Sequence, residues 1–191
     1  MDIFMAGTDT TTTFLRWAVL LLSVHPQIQT KVHEEIDSIL GQIHSVRMKD
    51  KLNLPYTDAT IMEIHRFASV SPISLPHSNT EKIVSYQRYF IPKGSSVFQN
   101  VYAVHRDETY WKHANEFNPE NFLNENGDVV HNDHLIPFSI GKYTHCAYGE
   151  FCYNCFVYNV FLTGFSAPIV RNNVKLHLLI GWNYLLPIDP I

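Results

Sequence analysis

Apolar residues recur at helical spacing in the segments up to Ser69, broken by a polar connection that follows Gly41 and runs to Asn53, and then Pro72 and Pro76 force extended backbone. That single change of period is the strongest constraint on the fold. The first helix is expected over residues 2–24 and ends before His25 and Pro26, with Pro26 suited to the first turn of the next helix. In that second helix Ile28, Val32, Ile36 and Leu40 repeat every fourth residue, and Gly41 supplies the stop. A third helix is expected over residues 54–69, "LPYTDATIMEIHRFAS". Beyond Lys82 the runs "KIVSYQRYF" and "SSVFQNV" are β-branched and aromatic, which predicts a small hairpin with "IPKG" as its turn. Residues 105–137 are too irregular for regular elements and too aromatic for disorder, and so form a long ordered loop. A buried helix over residues 150–165 and one or two strands after Val174 complete the pattern. The fold class is mainly α with small β-sheets.

The chain carries 14 basic against 18 acidic residues, a formal net charge of −4, which gives no electrostatic case for nucleic acid or an anionic membrane surface. The apolar run "FLRWAVLLLSV", residues 14–24, is about half the length of a membrane-spanning helix and contains Arg16. It is expected to be a buried helix. No basic segment precedes it and Asp2 and Asp9 flank the opening turn, so the N-terminus is not expected to be a signal peptide. The three cysteines, Cys146, Cys152 and Cys155, do not form a disulfide framework and suit a reducing compartment.

Four short motifs carry chemistry. "AGTDTT", residues 6–11, places a glycine, an acid and three hydroxyls inside an apolar helix, at a cost in helix propensity of about 1 kcal/mol for the glycine alone. A hydroxyl bonding back to a carbonyl one turn earlier would loosen the helix and open a groove; a helix cap with a Thr-rich surface is the plainer alternative. "EIHR" sets Glu63 and Arg66 one turn apart on one helix face. On an exposed surface such a pair contributes little. In "EFNPENFL", residues 116–123, Pro119, Glu120 and the amide of Asn121 lie in a loop that could cap the pair and fix it as a buried clamp. Finally "FSIGKYTHCAYGE", residues 138–150, surrounds the first cysteine with aromatic and small residues.

In this order and at these separations, "AGTDTT", "EIHR", "FNPENFL" and "PFSIGK" followed by a cysteine resemble the C-terminal half of the cytochrome P450 fold, of the animal microsomal family 2 type. The resemblance runs from residue 2 to about 151. It implies a single partial domain over residues 1–191 that starts inside the family's long oxygen-binding helix, with a haem-ligand loop at 137–150 and a divergent tail at 151–191. It implies haem b, iron protoporphyrin IX, with Cys146 as the thiolate ligand of the iron. Phe138 and Gly141 would shape the loop beneath the haem, Ala6 and Gly7 would border it, and His77 would pair with a propionate. Asp9 and Thr10 match the acid and alcohol that relay protons during catalysis. Glu63, Arg66 and Asn121 would be clamp residues, not catalysts.

The activity so implied is that of a haem-thiolate monooxygenase, which inserts one oxygen atom of O2 into a small apolar substrate. Electrons come from NADPH through NADPH-cytochrome P450 reductase, at the cytosolic face of the endoplasmic reticulum membrane. A membrane anchor and the substrate-contacting loops are expected upstream of this chain. The exposed flank of the first helix is then expected to carry apolar surface. The loop departs from the family's pattern: Phe138 to Cys146 and Cys146 to Gly149 are each one residue longer, and Tyr143 stands where the family has arginine. Lys142 or His145 would replace that arginine at a propionate, without its planar fork. The departures raise an alternative, a non-catalytic partial gene product that keeps the fold and not the haem. A zinc site from Cys146, Cys152, Cys155 and His145 lacks a second paired half, so Cys152 and Cys155 are expected to be core thiols. His25, His33, His44 and His113 are expected on the solvated surface.

Overall fold

Helix α1, Asp2–Val24, runs without interruption through the whole Thr-rich stretch, and α2, Pro26–Leu40, follows after a single residue. His25 makes the junction: its N–H still donates to Leu21 O at 3.0 Å, while its own carbonyl accepts from Ile28 N at 3.0 Å and Gln29 N at 3.2 Å. Pro26, which lacks an N–H, occupies the first helical position, where none is needed. A 3-10 turn, Met48–Asn53, leads to α3, Pro55–Ala68. The structure, a computed structural model, describes residues 2–40, 48–80, 83–86 and 88–140.

Phe14, Ala18, Leu21 and Leu22 form the inward stripe of α1, and Ile28, Val32 and Ile36 that of α2, as the four-residue period requires. They close on Leu54, Ile61 and Ile64 of α3 and on Phe117. A second cluster, Ala59, Met62, Trp111, Ala114 and Phe122, covers the opposite side of α3. Burying a side chain such as Phe14 or Leu22 completely stabilises the fold by about 1.5–3 kcal/mol. Because both flanks of α3 are covered, every residue from Thr57 to Arg66 is buried, polar ones included. This double covering is what makes α3 the mount for the site described below.

The start of α3 has no side-chain cap of its own at Leu54. Glu35 of α2 supplies it from a distance: its carboxylate accepts Tyr56 N at 2.8 Å, Thr57 N at 2.7 Å and the Thr57 hydroxyl. A carboxylate there satisfies orphan amides and complements the positive end of the helix. Glu35→Ala is expected to lower stability by about 1–2 kcal/mol in thermal unfolding, with Glu35→Gln recovering part of it.

After α3 come β1, His77–Ser78, β2, Ile83–Tyr86, β3, Tyr89–Pro92, and β4, Ser96–Val97. The hairpin differs from the one expected. "KIVSYQRYF" is itself folded back, β2 pairing with β3 so that Tyr86 faces Tyr89 and Ile83 faces Pro92. "IPKG" instead turns β3 toward β4, with Gly94 at φ 82°, and β4 pairs with β1. The reversal between Tyr86 and Tyr89 has no glycine, asparagine or proline to signal it, whereas "IPKG" does.

A short helix α4, Val101–His105, and a 3-10 turn, Pro119–Phe122, punctuate an otherwise irregular but closely bonded run to residue 140. The architecture is mainly α with small antiparallel sheets. The described part of α1, from Thr8 on, does not carry the expected apolar flank: Thr8, Asp9, Thr10, Arg16 and Ser23 are exposed there, and Val24 is the single large apolar one. Ile73, Leu75, Phe90, Val97 and Phe98 are exposed instead. His25, His33 and His113 are half-buried, not solvated; His25 lies 5.3 Å from the Phe117 ring, and His113 belongs to the loop bonded to the clamp. His44 lies outside the described residues.

Candidate functional site

Glu63 and Arg66 sit one turn apart on α3 and their side chains are 0% exposed. Arg66 Nε donates to Glu63 Oε2 at 2.8 Å and Nη2 to Glu63 Oε1 at 2.7 Å, a fork matched to a carboxylate. The remaining N–H groups reach backbone carbonyls of the long loop: Nη1 donates to His105 O at 2.6 Å and Ala114 O at 2.8 Å, and Nη2 to Glu116 O at 2.8 Å and His113 O at 3.2 Å. Glu63 Oε1 also accepts Asn118 N at 2.8 Å and the Asn121 amide at 3.2 Å. Asn121 in turn accepts His113 N at 3.0 Å. Burial pushes the Glu63 carboxyl up, and Arg66, the Asn118 N–H and the Asn121 amide oppose it.

This is the buried clamp expected from "EIHR" and "EFNPENFL", with one difference of membership. Pro119 is buried and Asn121 contributes as expected, but Glu120 is exposed and the loop contributes its backbone. Carbonyl oxygens leave no signature in a sequence, which is why residues 105 to 116 could not be named in advance.

His105 extends the clamp. Its ring is fully buried; Nε2 accepts the Ile136 N–H at 3.0 Å and Nδ1 lies 3.0 Å from Ser69 Oγ. The first bond fixes the tautomer, so Nδ1 carries the proton and donates to Ser69, whose hydroxyl donates to Arg66 O at 2.8 Å. Burial and the neighbouring Arg66 charge hold His105 down at about 4. Ser69 takes the left-handed conformation that ends α3, φ 40°, with its N–H on His65 O at 3.2 Å. His105 thereby ties the end of α3 and the end of α4 to the segment that leads to Phe138.

Beside this network lies a recess of about 100 Å³ lined by Thr10, His65, Val70, Val101, Pro137 and Phe138 among others. The His65 ring stacks on Phe14 with centroids 4.2 Å apart and stands 6.2 Å from Phe138. Burial, followed by the effect of His105, lowers the His65 pKa to about 3, so the ring is neutral. Small-molecule pockets usually reach ~300–1,000 Å³, so the recess is a dent in one wall and not an enclosure.

Of the residues singled out in the sequence, Thr10 and Phe138 meet at this recess. Asp9 is exposed on α1 beside Thr10. Just beyond this stretch Thr12 Oγ1 donates back to Thr8 O at 2.7 Å, and α1 continues through it without the expected loosening. Ala6 and Gly7 fall in the first turns of α1. His77 is exposed on β1, paired with Val97, and does not line the recess. Gly141, Lys142 and Cys146 lie outside the described residues, as do Tyr143, His145, Cys152, Cys155, the helix expected at 150–165 and the final strands. Sequence reasoning missed Glu35, Ser69 and His105, which stand in no motif, and His65, which lies within "EIHR" but between the two residues whose spacing drew attention.

A family model described as Cytochrome P450 matches residues 1–146. The chain is 46% identical over 141 residues to cytochrome P450 2U1 of Bos taurus. It is 44% identical over 141 residues to cytochrome P450 2U1 of Homo sapiens and 42% over 142 residues to cytochrome P450 2D26 of Rattus norvegicus. These alignments take in 74% of this chain and 26% to 28% of the relatives, so the chain spans about a quarter of the length of the relatives it matches.

Proposed function

This chain belongs to the cytochrome P450 family, and on that premise we propose that it forms the haem-binding part of a haem-thiolate monooxygenase acting on a small apolar organic substrate. The observation that carries the reading is the buried pair of Glu63 and Arg66. Its bonds to the 105–121 loop, extended through His105, bring Thr10 of α1 and Phe138 to a common recess. Val70, Val101, Pro137 and Phe138 offer apolar contact to one face of a flat macrocycle, and Thr10, Ser69 and Ser71 add hydroxyls at the same recess.

In this reading Cys146 is the thiolate ligand of haem b, and the bound haem supplies activation of dioxygen with electrons passed from NADPH by a reductase. The chain's own residues do the rest. Thr10 holds a proton at the recess, and Asp9, exposed next to it, exchanges protons with solvent. Phe138, Ala6, Gly7 and Gly141 would contact the haem when it binds, the two glycines and the alanine because they have little or no side chain to obstruct it. His77, which stands outside the recess on β1, and Lys142 would hold its carboxylates. We place the whole protein at the cytosolic face of the endoplasmic reticulum membrane; no helix among the described residues is long and apolar enough to cross a membrane.

One observation favours a second reading, a chain that keeps the fold without haem: the loop at 138–149 is two residues longer than the family's pattern and has Tyr143 at the arginine position. Equilibrium titration with haemin separates the two. One haem per chain is expected, with affinity falling at least about tenfold in Cys146→Ser, as loss of a metal ligand should bring. Equal affinity in both proteins, or no saturable binding, supports the second reading.

A further inference from the structure

We propose that Gln99 is a positioning residue that fixes residues 139 and 140, where the chain departs for the loop carrying Cys146. Its side-chain amide acts as a piece of β-ladder. Oε1 accepts the Ile140 N–H at 3.1 Å and Nε2 donates to Ile140 O at 3.1 Å, while the Ser139 hydroxyl also donates to Oε1. Only a side-chain amide sets donor and acceptor side by side in this way.

The grip matters because Ser139 has φ 70°, a left-handed conformation uncommon for a residue with a side chain. Such a conformation persists where its surroundings over-determine it. Ser139 N donates to Ile136 O at 2.9 Å, and Ile136 N is held by His105 at 3.0 Å. The segment is therefore held at one end by His105 and at the other by Gln99.

Gln99 is itself rigidly mounted. Its N–H donates to Ser74 Oγ at 2.8 Å and its carbonyl accepts the Ser74 N–H at 3.0 Å, and Ser74 is buried. The next residue, Asn100, caps α4 by accepting Ala103 N at 3.0 Å. Fixed backbone at the Ser74 crossing is thus transmitted through one amide to Ile140, 41 residues downstream. No spacing in the sequence marks this pair. Resting on the function proposed above, the consequence is that Gln99 sets where the lengthened loop begins, and so where the Cys146 sulfur can reach.

The test is amide hydrogen exchange, read residue by residue by NMR in the full 191-residue chain without haem. In Gln99→Leu, the Ile140 amide is expected to exchange about tenfold faster, as for a lost local hydrogen bond, while Ile136 keeps its rate. Gln99→Glu keeps the acceptor, so its Ile140 amide stays slower than in Gln99→Leu. Unchanged Ile140 exchange in Gln99→Leu, or equal acceleration at Ile136 and Ile140, overturns the proposal. With haem added, Gln99→Leu is expected to show a smaller thiolate-type share of its absorption than the parent chain; an equal share overturns the proposed effect on Cys146. A parent chain with no thiolate-type absorption refutes the functional reading, and the exchange rates still decide whether Gln99 positions residue 140.

Discussion

Arg66→Ala is expected to abolish cooperative folding. The substitution removes every partner that Arg66 provides: the fork on Glu63 and the donors to four carbonyls, those of His105, His113, Ala114 and Glu116. All of this occurs at 0% exposure, so water does not replace what is lost. Breaking a buried ion pair by deleting one partner costs about 3–5 kcal/mol, and each orphaned carbonyl adds about 1–3 kcal/mol. A whole domain is stable by only about 5–15 kcal/mol. Arg66→Lys fails for a geometric reason, since an ammonium has three donors and no planar fork to serve a carboxylate and carbonyls in four directions. Near-ultraviolet circular dichroism should lose its aromatic signal in Arg66→Ala, and a sharp thermal transition in that variant would show that the clamp is dispensable.

Acid is expected to unfold the protein well above the range in which its carboxylates titrate. His65 and His105 are held neutral in the fold, with pKa values of about 3 and about 4, because burial disfavours their charged forms. In the unfolded chain both protonate near the ordinary value of about 6.5. Between these values the unfolded state binds more protons, so stability is full above about pH 6.5 and is lost as pH falls. Each histidine contributes a slope of about 1.4 kcal/mol per pH unit in that window. Asp58 and Glu63, which burial holds above the ordinary carboxyl range, act in the opposite sense as they bind protons at lower pH. Urea unfolding measured from pH 7 downward should therefore show stability falling by about 2–3 kcal/mol per pH unit once both histidines are within range. His65→Phe, which keeps a ring on Phe14, should roughly halve that slope. A flat profile from pH 7 to pH 5 would mean that neither ring is protected from protonation.

Much of the scaffold was legible in the sequence because helices announce themselves by period and by proline. Pro26, Pro72 and Pro76 marked two boundaries, and the buried stripe of Ile28, Val32 and Ile36 came out as the spacing predicts. The clamp was legible for a different reason: Glu63 and Arg66 at one-turn spacing, followed by a loop able to cap them, form a pair that has little purpose unless buried. What stayed hidden is bonding through the backbone. Arg66 is satisfied largely by carbonyls, Glu35 caps a helix 21 residues away, and His105 accepts an amide 31 residues downstream. None of these partners needs a particular neighbour in sequence, so no spacing betrays them. The hairpin of β2 and β3 was hidden because its reversal uses residues with no turn preference. Of the candidate site, Thr10 and Phe138 were named for separate reasons and line one recess in the structure, while nothing in the sequence placed His65 between α1 and Phe138.

If the clamp and the recess mount the loop as proposed, Cys146 holds haem through sulfur. The most direct measurement is the carbon monoxide difference spectrum of the reduced protein after loading with haem. A Soret band at the position typical of thiolate-ligated iron is predicted, and it should be absent in Cys146→Ser. A band typical of histidine ligation, or no band in a folded protein that has taken up haem, would contradict it.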